Sequence, residues 1–135
     1  MARFTAAYWC VLVMALLPLV CAWMAKKSGY GKPRREGGFD NLDPRQWLAK
    51  QTGWASRANA AQANTFEALP FFFAAVIIAH QMGAIQSRLD VLSVLFVVLR
   101  IIYILMYVAG MGRTRSAIWT LALLTNVAIL FLGYR

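Results

Sequence analysis

Two ionisable side chains interrupt otherwise apolar stretches of this chain. Glu67 lies within a stretch running from about 58 to 81, and Arg100 within one from about 91 to 111. A charge held in hydrocarbon costs at least about 2–3 kcal/mol, so its presence marks a candidate functional site. At about 100° per residue, Arg57, Asn64, Glu67 and Phe71 fall within about 80° of one another on one helix face. On the next stretch Arg100, Tyr103 and Tyr107 fall within about 60°. Counted from the same membrane face, Glu67 lies about 14 Å deep and Arg100 about 16 Å deep at 1.5 Å per residue. Matched depth and opposite charge predict an ion pair between antiparallel neighbours. Arg113 and Arg115 follow at the mouth of this polar stripe. The stripe stops in mid-membrane. An ion path would need further charged residues, and none continues it. The structural alternative is an interhelical pair acting only as glue. Pro70 removes a backbone donor and displaces the carbonyl of Phe66, so a kink beside Glu67 is expected.

The elements that must position these residues are apolar blocks of membrane-spanning length. They run over about 4–25, 58–81, 91–111 and 116–134, each within the roughly 17–25 residues a spanning helix needs. The short second and third links make neighbouring helices antiparallel. The fold class expected is therefore an all-α membrane protein, a four-helix up-down bundle forming one domain over 1–135. The link 26–57 is the one long polar segment. Gly29, Gly31, Pro33, Gly37 and Gly38 predict irregular chain up to about Phe39. Asp43-Pro44 reads as a helix N-cap followed by proline at the first helical position. The short helix that follows, closed near Gly53, would lie at the lipid interface on Trp47 and Leu48.

Composition agrees with the blocks. Hydrophobic residues are 61% and charged residues 14% of the chain, against about 25% charged in soluble domains. The net charge of +9 sits mostly in the long loop, where topology and lipid head groups explain it. No basic–aromatic groove for nucleic acid is present, and no cluster has metal-ligand spacing; His80 reads as an interfacial residue. Cys10 and Cys21, eleven residues apart on one helix, are about 16 Å apart and read as packing residues. The first block exceeds the 7–15 apolar residues of a signal sequence, and its stronger positive flank, Lys26-Lys27, follows it, so an uncleaved anchor is expected.

Asn64-x-x-Glu67-x-x-Pro70-Phe71, preceded by Arg57-Ala58 and Gln62, resembles the second-helix signature of the MAPEG superfamily, membrane-associated proteins in eicosanoid and glutathione metabolism. Arg100-x-x-Tyr103-x-x-x-Tyr107 resembles its third-helix signature. Arg115-Ser116 and Asn41-x-x-Pro44-Arg45 are similar to bacterial members, which implies a bacterial inner membrane. The resemblance covers the whole chain in order. It implies a homotrimer with glutathione, as co-substrate, between neighbouring subunits on the cytoplasmic side. Carried over by motif position, the ligands are Arg57, Gln62, Asn64, Glu67, Arg100, Tyr103 and Tyr107, with Arg115 activating the thiol and Arg113 in reserve. The implied activity is a transferase or peroxidase acting on lipophilic electrophiles or hydroperoxides. Ala60 departs from the pattern, since well-studied members often carry an arginine there. The alternative is thus a non-catalytic trimer of the same fold that binds a thiol or lipid, or serves as a membrane partner. A small four-helix drug exporter would need a carboxylate in the first block, which has none.

Orientation follows from the basic residues. Lys26, Lys27, Lys32, Arg34, Arg35, Arg45, Lys50, Arg57, Arg113 and Arg115 share one side, against Arg3, Arg88 and Arg135 on the other. The positive-inside rule then places both termini outside the cytoplasm and the long loop within it. A reporter fused after Arg135 that works only in the cytoplasm is expected to be silent; strong activity would invert the orientation.

Overall fold

A computed structural model describes residues 3–134. It is all-helical: α1 (Ala6–Lys26), α2 (Pro44–Ala49), α3 (Gly53–Gln81), α4 (Gln86–Val108) and α5 (Gly112–Leu130). Among the described residues there is no strand. The helices α1, α3 and α4 are long and apolar enough to cross a membrane, which makes this a membrane-spanning chain. The fourth long helix, α5, is not in that set. Arg113 and Arg115 in its first turn, and Thr120, Thr125 and Asn126 beyond, dilute its apolar character.

Helix ends differ from the apolar blocks by several residues. The helix α3 begins at Gly53, five residues before the expected Ala58, and α4 spans 86–108 instead of 91–111. Apolar composition marks hydrocarbon thickness, whereas helix length is set by backbone breakers. At 29 residues, α3 is about 43 Å long and outreaches the roughly 30 Å hydrocarbon layer. Gly110, at φ 79°, ends α4 before Met111 because few other residues accept that conformation. Gly83, at φ 71°, turns the chain between α3 and α4, and Ala84 N donates to Ala79 O at 3.0 Å across it.

The first helix is held at both its sides and its start. Thr5 Oγ1 accepts from Tyr8 N at 3.2 Å. Asp90 of α4 reaches across the fold, its Oδ1 accepting from Ala7 N at 2.9 Å and from Gln86 Nε2 at 2.8 Å. A carboxylate beside a helix N-terminus meets unpaired N–H groups and the positive end of the helix dipole. Along α1 the buried residues are Ala7, Cys10, Met14, Pro18, Cys21 and Ala25, a three–four spacing that makes one seam. That seam packs on α3, whose own buried Ala58, Ala61, Ala75 and Ala79 are small. Small residues let membrane helices approach closely. Both cysteines are free and buried in this packing. Further in, Phe72 of α3 stacks on Phe96 of α4 with centroids 4.4 Å apart and planes 10° from parallel. Val91, Val94, Val98, Ile101 and Leu105 on the opposite face of α4 are exposed, as a lipid-facing surface requires.

The long loop folds back on the protein. Trp47 and Leu48, expected at the lipid interface, are instead each 8% exposed and pack with Ala25 and Ala58. Trp47 Nε1 donates to Gly37 O at 3.3 Å, and the Trp47 ring meets Phe39 edge-on at 5.2 Å. A side chain on Gly29 would collide with that ring, so the glycine is there for close approach. Asp43 does occupy the N-cap of α2 ahead of Pro44, but its side chain makes no capping bond.

Asp90→Ala removes the acceptor that ties α1 to α4 and should lower stability by about 1–2 kcal/mol. Asp90→Asn, which keeps the oxygen, should lose less. Thermal unfolding in detergent tests both, and equal losses would show that charge alone matters.

Candidate functional site

The register between α3 and α4 is set at the loop side of the membrane. Arg57 Nε donates to Val108 O at 2.9 Å, so a guanidinium satisfies the last turn of α4 where the helix dipole favours a cation. Eight residues inward along each antiparallel helix, about 12 Å, come Thr65 and Arg100. They meet: Arg100 Nη2 donates to Thr65 Oγ1 at 3.2 Å and to Asn64 Oδ1 at 3.0 Å. Thr65 Oγ1 in turn donates to Ala61 O at 2.7 Å.

Arg100 is 1% exposed, the largest fully buried side chain described. The expected ion pair with Glu67 is not formed; among the described residues the single ion pair is Arg34–Asp40 at 3.2 Å. The reason is the register. Glu67 lies two residues, about 3 Å, deeper than Thr65, and the expected depths rested on helix ends that were misplaced. Asn64 stands between the charges instead. Its carbonyl accepts from Arg100, and its Nδ2 lies 3.5 Å from Glu67 Oε2.

Aromatic rings continue the cation's environment toward the loop. The Arg100 guanidinium lies 4.3 Å from the Tyr103 ring centroid. Tyr103 meets Tyr107 edge-on at 5.7 Å, and Arg115 of α5 lies 4.3 Å over the Tyr107 ring. The sequence spacing 100, 103, 107 on α4 builds this ladder, and the tight Ala109–Met111 link brings Arg115 to its end. Stacking over a ring holds a guanidinium in place while leaving N–H groups free for a ligand.

Asn64, Glu67, Tyr103, Tyr107 and Arg115 line one open groove of about 660 Å³ between α3, α4 and α5. That volume lies within the range of small-molecule sites. Four other expected site residues do not line it, among them the buried Arg100, which stands behind Asn64. Arg57 is engaged at the end of α4. Arg113 is exposed and lines neither groove described here. Gln62, two residues from Asn64 and so about 160° around the helix, faces a second groove of about 490 Å³ with Arg45 and Asn59. Ala60 lines both grooves. Ser116, quoted in the sequence only as part of a motif, lines the first groove with Trp119 and Thr120; these last two and Thr65 escaped the sequence reading. Thr65 carried a usable signal, as a hydroxyl beside Asn64 in an apolar stretch.

The model of the MAPEG family matches residues 6–134. No curated protein and no solved structure matches the chain.

The geometry makes Asn64 and Thr65, not Glu67, the direct partners of Arg100. Thr65→Val should therefore cost about 1–3 kcal/mol by leaving a buried donor unpaired, whereas Glu67→Gln should cost little. Thermal unfolding compares them; an equal loss in Glu67→Gln would restore the carboxylate as the principal counter-ion.

Proposed function

The chain belongs to the MAPEG family, and on that premise we propose that it is a glutathione-dependent membrane transferase or peroxidase. In this reading all four long helices cross a bacterial inner membrane, the termini lie outside, and the groove opens at the cytoplasmic side. Three copies assemble, and a neighbouring copy covers the open groove. The Gln62 face of one copy is then available to another, which accounts for a ligand residue lying on the far side of α3.

The observation that carries the proposal is the convergence of Asn64, Glu67, Tyr103, Tyr107 and Arg115 on one groove. Glutathione has two carboxylates, one ammonium and one thiol. Guanidinium groups suit the carboxylates, and Glu67, exposed at the groove, suits the ammonium. Arg115 is half-buried and steadied by the Tyr107 ring. A cation beside the sulfur favours thiolate over thiol, and thiolate is the nucleophile. With an electrophile the sulfur forms the new bond, the leaving group departs with its electron pair, and the thiol proton goes to water. With a hydroperoxide the sulfur takes the terminal oxygen as the O–O bond breaks, yielding an alcohol and a sulfenic acid. A second thiol reduces that acid, releasing water and the disulfide.

Ala60 favours the second reading, a non-catalytic binder of a thiol or lipid. It lines the groove where studied relatives often present an arginine, so one cation is missing there. Isothermal titration with glutathione, followed by a conjugation assay, separates the readings; binding without turnover selects the second.

Arg115→Ala should depress turnover about 100-fold or more while changing thiol binding only a few-fold, the pattern of an interaction specific to the activated state. The ultraviolet band of bound thiolate should fade in the same variant, and raising pH should partly restore the rate. Arg113→Ala, which removes the same charge from the exposed face, should behave as wild type. If Arg115→Ala keeps wild-type turnover, another group activates the thiol.

A further inference from the structure

Where α1 runs into the long loop it lies beside the start of α3, and a cleft of about 410 Å³ opens there. Trp23, Met24, Lys27, Ser28 and Trp54 line it. Lys27 is the one charge among these residues, and no acidic side chain balances it. Its Nζ lies 5.6 Å from the centroid of the Trp23 ring, close enough for the indole to steady the ammonium. Lys26 directs its charge elsewhere, with Nζ 5.1 Å from the centroid of the Phe39 ring in the loop. Trp23 and Trp54 are both exposed. The apolar span Ala6–Gly29 ends two residues after Lys27, so the cleft sits at the boundary between hydrocarbon and water. Tryptophan rings and the charged ends of lysines settle at that level. Below the cleft an apolar track descends α1. Leu12, Leu16, Leu19, Val20 and Trp23 are all exposed and fall within about 100° of one another. From Trp23 to Leu12 the track is about 16 Å long at 1.5 Å per residue. That is close to half of the roughly 30 Å hydrocarbon layer, the depth of one leaflet.

We propose that this cleft holds the headgroup of one acidic phospholipid, with the Lys27 ammonium on its phosphate, the two indoles against its glycerol carbons and an acyl chain along the α1 track. The sign of the charge selects the headgroup. A phosphatidylglycerol presents a phosphate and uncharged hydroxyls. A phosphatidylcholine adds a quaternary ammonium, which Lys27 repels and for which the cleft offers no carboxylate. Size and depth select a lipid over a free phosphate ester. At about 30 Å³ per water-sized group the cleft is far roomier than a phosphate alone. An exposed lone cation holds a free anion weakly, whereas a lipid also removes its carbons from water against the rings and the track. The site stands on the loop end of α1, whatever the groove between α3, α4 and α5 binds.

Native mass spectrometry of the full chain in a neutral detergent reads the bound lipid directly. The protein is mixed with equal amounts of phosphatidylglycerol and phosphatidylcholine carrying the same acyl chains, and the ratio of the two in the first bound lipid is measured. Phosphatidylglycerol should be favoured about fivefold, the contribution of one lysine beside a lipid phosphate. Lys27→Ala should bring the ratio close to one, and Lys27→Arg should keep it. Lys32→Ala removes the same charge from the loop outside the cleft and should also keep it. A hundredfold excess of sn-glycerol 3-phosphate should leave the lipid bound. Equal retention of the two lipids by the unmodified protein overturns the proposal, as does an unchanged preference in Lys27→Ala. An equal loss in Lys32→Ala would assign the preference to diffuse loop charge and overturn the cleft as its source. Displacement by sn-glycerol 3-phosphate would make the ligand a free phosphate ester and overturn the lipid.

Discussion

A buried guanidinium with no anion against it is the constraint around which this protein is arranged. Arg100 cannot shed its proton, so every polar contact it lacks is an uncompensated cost. The fold meets that cost with neutral partners from α3, Asn64 and Thr65, and with the face of Tyr103. This arrangement fixes the rotation of α3 and α4 about their axes. Once they are fixed, Tyr107 must point at α5, and Arg115 finds a ring to rest on. Glu67 is left at the groove with its charge directed outward and only Asn64 beside it. The carboxylate is thereby available to a ligand, which a tight pair with Arg100 would have prevented.

The legible part of the sequence was the part governed by composition and helical period. Apolar blocks located the four long helices, three of them long and apolar enough to cross a membrane, and charge in those blocks located two of the three helices that line the groove. Period alone put 100, 103 and 107 on one face, as the structure has them. The family signature added Arg115, which no periodicity argument on a single helix could join to Tyr107. What period cannot supply is the axial register of one helix against another. The ion pair failed for that reason, since the register is set by Arg57 on the carbonyl of Val108. That contact depends on a glycine ending α4 and on the interhelical geometry it permits.

Other residues were misread because burial in a membrane protein has two meanings. Trp47 and Leu48 have the character of interface anchors, yet they fill a gap between the ends of α1 and α3. Asn126 sits in an apolar run of α5, and no spacing in the sequence marked it. It lines a cavity that three helices make together. Gln62 shares a motif with Asn64 but not a face, so a sequence signature can unite residues that a single chain keeps apart.

The four-residue turn at 82–85, closed by Gly83 and packed against Gly133, bears on how the chain enters its membrane. An arginine near the centre of a helix opposes partitioning from the translocon by about 2.5–3.5 kcal/mol. The surrounding leucines, isoleucines, valines and phenylalanines of α4 favour entry, and α3 has just been synthesised with Asn64 and Thr65 in place. With so short a tether, α3 stays beside α4 during integration, and the guanidinium meets its acceptors inside the bilayer without ever being alone there. The two helices are thus a single unit of membrane insertion, and lengthening the tether would expose Arg100 to lipid during biogenesis even if the finished protein were unchanged.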